Sequence, residues 1–291
     1  MTKEDKDCAR LQKPAWLKVR APGSPEYIET RSIVKGLHLH TVCEEAHCPN
    51  IGDCWSHRTA TFLILGEYCT RACSFCAVKH SAADLCPPDP LEPGRIGEAV
   101  AKLRLRHVVV TSVTRDDLPD QGAGHFAATV TEIHRSAPEC RVELLIPDLQ
   151  GSVAHLKKIL DAGVDILNHN LETVPRLYPQ VRPQASYQRS LTLLAAVNEI
   201  DPNTFTKSGI MAGLGETENE VLSVMDDLRS VNVDILTIGQ YLQPASSNIA
   251  IKEYVTPETF EKYERLAFEK GFSHVESGAL VRSSYHAWEQ S

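Results

Sequence analysis

The sequence has no apolar run approaching the roughly eighteen residues that a membrane-spanning helix needs, so no membrane partner is expected. It also lacks a basic excess. Lys and Arg number 30 against 38 Asp and Glu, and the net charge of −8 is opposite in sign to what a phosphate-binding surface requires. No nucleic-acid partner is therefore expected. The opening MTKEDKDCAR carries charges with no apolar core behind it, so a secretory leader is not expected and a cytoplasmic location is. No GxGxxG follows the first apolar run, so the dinucleotide-binding signature of a doubly wound sheet is missing. Neither common four-cysteine ferredoxin spacing occurs.

What is present is ordinary in bulk and unusual in cysteine. At 291 residues, 42% hydrophobic and 23% charged, the chain suits a globular α/β barrel. Six of its nine cysteines fall between positions 43 and 76. A chain this large needs no disulfide staples, and a reducing compartment makes these thiols metal ligands rather than bridges.

Short apolar runs recur through the chain: TFLIL (61–65), HVVVTSV (107–113), VELLIP (142–147), VDILNHN (164–170), KSGIMAG (207–213) and VDILTIG (233–239). Continuous runs of this length fit buried parallel strands. Helical patterns separate them, at 97–105, 122–136, 152–162, 186–199 and 217–231. Thr217 with Glu220 reads as a capping box, and Gly163 as a helix stop. Alternating units of this kind give a parallel sheet with chemistry at the strands' C-terminal ends. Polar clusters stand there, in TSVTRDD, NHNLET, GLGE and GQYLQP. Six units are too few for a full eight-stranded barrel but could form an open or partial one. The first forty residues, with the prolines of KPAWLKVRAPGSPEY, read as an extended arm, and a helix at 258–270 and the tail lie outside the repeat.

Cys69-x3-Cys73-x2-Cys76 follows the first predicted strand. Three thiolates can hold three irons of a four-iron cluster and leave the fourth open. Structural zinc normally takes four ligands, and His80 keeps that alternative open. A second triplet, Cys43-x4-Cys48-x5-Cys54, again lacks a fourth thiol, with His47 and His57 as local candidates. Cys140 reads as core, and Cys86 and Cys8 as incidental free thiols.

The first-strand loop resembles the CxxxCxxC signature of the radical S-adenosylmethionine (SAM) superfamily, with Phe75 before the last cysteine. From KPAWL (13–17) to RSSY (282–285), the segments CEEAHCPNIGDCW, TATFLILGEYCTRACSFCAV, SVTRDDL, NHNLETVPRLY and TKSGIMAGLGE resemble the lipoyl synthase family. That resemblance implies a partial (β/α)6 TIM-type barrel with N- and C-terminal extensions: residues 1–58, the barrel at 59–240, and 241–291. It implies a sulfurtransferase that uses two 4Fe-4S clusters and cleaves SAM to methionine and a 5′-deoxyadenosyl radical. Cys69, Cys73 and Cys76 would hold the radical-generating cluster. Cys43, Cys48 and Cys54 would hold an auxiliary cluster with a serine of RSSY, assigned to Ser283 with Ser284 as the alternative. The family reaction inserts sulfur at carbons six and eight of an octanoyl chain on a carrier lysine, the auxiliary cluster being the sulfur source. Oxygen is a weak ligand for such iron, which suits a serine that leaves during turnover.

The resemblance also implies partners: octanoylated lipoyl domains, of the glycine-cleavage H protein or dehydrogenase E2 subunits, and a small electron-donor protein. Thr111 and Ser112 correspond to contacts of the methionine amine, and Asn170, Glu172 and Arg189 to ribose and carboxylate contacts. All five read equally as loop anchors. Gly209-x-Met211-x-Gly213 would pack the adenine or simply form a Gly-rich turn. Arg282 and Tyr285 would orient Ser283 or pack the tail. Gln121 stands where a glycine is expected and Asn248 where a histidine is frequent, both away from the cluster ligands. A different two-cluster radical enzyme, an electron carrier and a zinc-structured module are the competing classes.

Overall fold

The computed structural model describes residues 12–19, 22–46, 48–57, 59–285 and 287; Cys8 and His47 lie outside them. Its strands are β1 (His40–Thr41), β2 (Thr61–Ile64), β3 (His107–Ser112), β4 (Arg141–Leu145), β5 (Ile166–Asn168), β6 (Phe205–Ala212), β7 (Ile235–Gln240) and β8 (His274–Gly278). They form one sheet in sequence order. From β2 to β7 every neighbouring pair is parallel, which is the six-unit partial barrel expected. β1 adds antiparallel to β2, and β8 adds parallel to β7. Every residue of β2 and β7 is buried, as apolar runs covered on both faces require.

The helices are α1 (Pro25–Gly36), α2 (Val42–Glu45), α3 (Ile51–Ser56), α4 (Glu92–Leu103), α5 (Ala123–Ser136), α6 (Val153–Leu160), α7 (Tyr178–Val181), α8 (Tyr187–Ile200), α9 (Glu218–Ser230) and α10 (Pro257–Glu269). α9 begins with the Thr217–Glu220 capping box read from sequence. α6 is followed by Gly163 at φ +87°, where the left-handed backbone favours glycine.

Two regions differ from the sequence reading. The arm contains α1, because Pro25 occupies the first helical turn, where a missing N–H is no loss. Ser24 caps it by accepting a hydrogen bond from Tyr27 N at 3.1 Å. The proline taken as a breaker is a starter. At the other end, residues 274–278 extend the sheet as β8 instead of lying outside it. The Cys-rich stretch folds as α2 and α3. Trp55 of α3 is fully buried, stacks on Tyr27 at 5.2 Å, and receives a bond from Thr30 on its carbonyl.

Between the strands lies a buried polar group. Lys207 Nζ stands 3.0 Å from Glu143 Oε1, and Asn168 Nδ2 donates to the same oxygen at 3.0 Å. His107 Nε2 is 3.4 Å from Oε2. Burial would raise the Glu143 carboxyl, but Lys207 and His107, with the Asn168 bond, hold it down at about 2. Removing one partner of a buried pair strands the other charge, at a cost of about 3–5 kcal/mol. Lys207→Met should lose stability of that order in urea unfolding, and adding Glu143→Leu should restore most of it. A loss below about 1 kcal/mol for the single variant would contradict this account.

Candidate functional site

After β2 the chain reverses at Leu65 (φ +69°) and Gly66 (φ +97°) and enters the Cys69–Cys76 loop. Leu65 is gripped at both ends: its N–H donates to Glu92 Oε2 and its carbonyl accepts from Arg115 Nη1. Inside the loop, Arg71 is 6% exposed and binds three carboxylate oxygens. It donates to both oxygens of Asp116, at 2.7 and 2.8 Å, and to Asp148 Oδ1 at 2.7 Å. Arg189 Nε donates to Asp148 Oδ2 at 2.8 Å. Burial opposes the charge on Asp148, but Arg71 holds its carboxyl well below the usual range. Asn248 Nδ2 donates to the carbonyls of Ser74 and Cys76. The sequence placed Asn248 away from the cluster ligands, and the structure corrects that. Gln121 has φ +53°, which explains why glycine suits its position.

Cys69, Cys73 and Cys76 line a cavity of about 540 Å³ at the C-terminal ends of the strands. Cys69 Sγ already accepts N–H groups of Arg71 and Thr114, at 3.4 and 3.3 Å. Burial raises the Cys73 thiol and pushes Cys76 up to about 12, so metal loading must displace protons from them. His80 is exposed and pairs with Cys69 through its backbone. Among the described residues, no three His, Cys, Asp or Glu converge on a single ion. Thiolates on different irons of a cluster need not converge.

The same cavity brings together Phe75, Thr111, Ser112, Asn170, Glu172 and Met211. Arg189 does not line it; its guanidinium is taken by Asp148. Thr111 Oγ1 donates to Leu145 O, so its proton is committed across the sheet. Ser112 Oγ, Asn170 Oδ1 and Arg182 Nε are buried with no protein partner. Buried polar groups are rarely left so unless a ligand completes them. A hydroxyl, an amide acceptor and a guanidinium donor fit the ammonium and carboxylate of an amino acid. Gly209 holds open the floor: a Cβ there would meet Thr237 Oγ1 at 2.5 Å and Asn170 Oδ1 at 2.9 Å. Glu172 is left-handed at φ +67°, and burial raises its carboxyl. Arg182 was missed in the sequence reading, where RP between two helical segments gives no local signal.

Cys43, Cys48 and Cys54 face a second, smaller cavity with Asn50, Thr59, Thr61, Arg282, Ser284 and Tyr285. Ser284, not Ser283, shares it with the thiols, and Thr61 Oγ1 donates to Ser284 Oγ at 2.8 Å. Ser283 lines the larger cavity instead. Burial pushes Cys43 up to about 11 and raises Cys48 and Cys54. Three thiols, those of Cys43 and Cys54 buried and that of Cys48 half-buried, stand beside a hydroxyl and form a donor set suited to an iron–sulfur cluster. His57 bonds instead to the Asp53 carbonyl.

A sequence profile of the radical SAM superfamily matches residues 63–228, and one of the N-terminal domain of lipoyl synthase of the radical SAM family matches residues 1–48. The lipoyl synthase of Rubrobacter xylanophilus is 56% identical over 97% of this chain and 87% of its own length. That of Roseiflexus sp. is 53% identical over 96% of this chain and 92% of its own. The chain belongs to the lipoyl synthase family. A solved structure of the [FeFe]-hydrogenase maturase HydG has the same fold, with a TM-score of 0.57 at 15% identity over 94% of this chain and 65% of that one. Within the lipoyl synthase family frame, the two cysteine sets should load independently. Anaerobic reconstitution should give about eight irons per chain, and about four when either triplet is changed to Ala. A triplet whose loss leaves the iron count unchanged holds no cluster.

Proposed function

We propose that this chain is a lipoyl synthase, inserting sulfur at carbons six and eight of an octanoyl group on a carrier-protein lysine. The observation that carries the reading is one cavity lined both by Cys69, Cys73 and Cys76 and by the turn Val281–Ser283, whose Arg282 also faces the Cys43, Cys48 and Cys54 site. Cys69, Cys73 and Cys76 would hold a cluster that supplies one-electron cleavage of SAM, and Cys43, Cys48 and Cys54 would hold one that supplies sulfur. Arg182 Nε and Asn170 Oδ1 hold the carboxylate and ammonium of SAM, with Ser112 beside them. Met211 and the floor at Gly209 take the adenine end. Val42, Ala46, Pro49, Leu63 and Val78 give the cavity an apolar wall against which an octanoyl chain packs. Lys13 on the same wall contributes a cation.

The fourth ligand of the auxiliary cluster is assigned to Ser284, in place of the Ser283 expected from sequence, on its place beside the three thiols. Arg282 and Tyr285 flank it there. The N-terminal helices α1, α2 and α3 and the C-terminal turn act as two clasps over the barrel, tied by Asn50 Nδ2 donating to Leu280 O at 2.7 Å. Partners are octanoylated lipoyl domains, of the H-protein or dehydrogenase E2 type, and a small electron donor. Among the described residues no helix is long and apolar enough to cross a membrane.

Reconstituted protein given reductant, SAM and an octanoyl-lysine peptide should yield lipoyl peptide with two deoxyadenosines per product. Ser284→Cys should keep its iron and form deoxyadenosine while the rate of product formation falls at least tenfold, whereas Ser283→Ala should retain that rate within about threefold, each tenfold corresponding to about 1.4 kcal/mol of activation free energy. Deoxyadenosine without any sulfur product in the unaltered protein would keep the superfamily and reject this function.

A further inference from the structure

Among the described residues, Arg282 is the one that lines both cavities. Its Nη1 donates to Val281 O at 2.5 Å. The same nitrogen lies 3.4 Å from where a Cβ on Gly239 would stand, so the guanidinium is folded against the end of β7. Among the described residues it makes no ion pair with any carboxylate. This sets it apart from Arg71, Arg115 and Arg189, each of which is paired with aspartate. It lines the smaller cavity together with Cys43, Cys48 and Cys54.

A guanidinium with no carboxylate partner attracts an anion, and its five donors far exceed the one carbonyl it meets. Two sources face it. The larger cavity would hold the SAM carboxylate, but Arg182 with its unpartnered Nε already stands among Asn170, Glu172 and Cys73 to receive that group. The smaller cavity collects three thiols and a hydroxyl, which as ligands carry more negative charge than a four-iron core offsets.

We propose that Arg282 is the counter-charge of the auxiliary cluster and sets its reduction potential, a positioning and tuning role distinct from SAM binding. This rests on the reading that Cys43, Cys48 and Cys54 hold a cluster. A fixed cation beside such a centre favours the state that has gained an electron. It lies on the side facing the octanoyl cavity, where sulfur must leave, so cluster charge and substrate channel meet at one residue.

The test uses full-length protein carrying Cys69→Ala, Cys73→Ala and Cys76→Ala, so that only the auxiliary cluster is read. Its potential is measured by anaerobic titration in the Arg282, Arg282→Lys and Arg282→Gln forms. The expected result is a more negative potential in Arg282→Gln, with Arg282→Lys lying between the two. Loss of the cluster in Arg282→Gln alone, with Arg282→Lys loaded, carries the same meaning, since Lys keeps the charge. An unchanged potential in both variants, or loss of the cluster from both, overturns the proposal. With the radical triplet intact, SAM affinity in Arg282→Gln should stay within twofold; a weakened affinity at an unchanged potential would move Arg282 to the other cavity. Absence of iron from the parent triple variant would instead remove the auxiliary cluster itself.

Discussion

At the end of β7, Gly239 admits the carbonyl of Val281 to a place where a Cβ would stand 2.1 Å from it. No other residue permits that approach. It seats the turn 281–285 over the strand ends, with Ser283 turned toward the large cavity and Ser284 toward the cysteines of α2 and α3. The Asn50–Leu280 bond fastens the N-terminal clasp to the same turn. Segments more than two hundred residues apart thus meet at one point, and Ser284 stands beside Cys43, Cys48 and Cys54 only because they do.

The opposite wall is held by charge. Arg71 lies within the cysteine loop itself, and its ties to Asp116 and Asp148 fix that loop to the ends of two further strands. Buried ion pairs contribute little net stability but define geometry sharply when every oxygen is bonded. Here they set the direction of three thiols that no regular secondary structure orients. The loop and the turn leave between them a cavity with an apolar wall and a few unpartnered polar atoms, which is how a site for a mixed apolar and zwitterionic cargo is built.

Much of this was legible in the sequence because it is local. Six apolar runs gave six parallel strands, and the capping box at Thr217 gave the start of α9. Both triplets announced themselves by spacing. What was not legible depends on direction or on distant partners. RSSY offers two equivalent serines, and only the turn decides which one faces the thiols. Arg189 and Arg182 are alike in sequence, yet Asp148 claims the first and leaves the second toward the cavity. Asn248 looked remote from the clusters by sequence distance, though its amide binds the Cys76 carbonyl. Pro25 was read as a breaker because its cap, Ser24, gains meaning only once Tyr27 is helical.

The central claim is that sulfur passes from the Cys43, Cys48 and Cys54 site across the cavity to a chain activated from the Cys69, Cys73 and Cys76 side. Its most direct test is a single turnover on protein reconstituted with sulfur-34 sulfide and then freed of excess sulfide. With an octanoyl-lysine peptide and SAM, mass spectrometry should find the heavy isotope at both sulfur positions of the product. A lipoyl product carrying unlabelled sulfur would contradict the account.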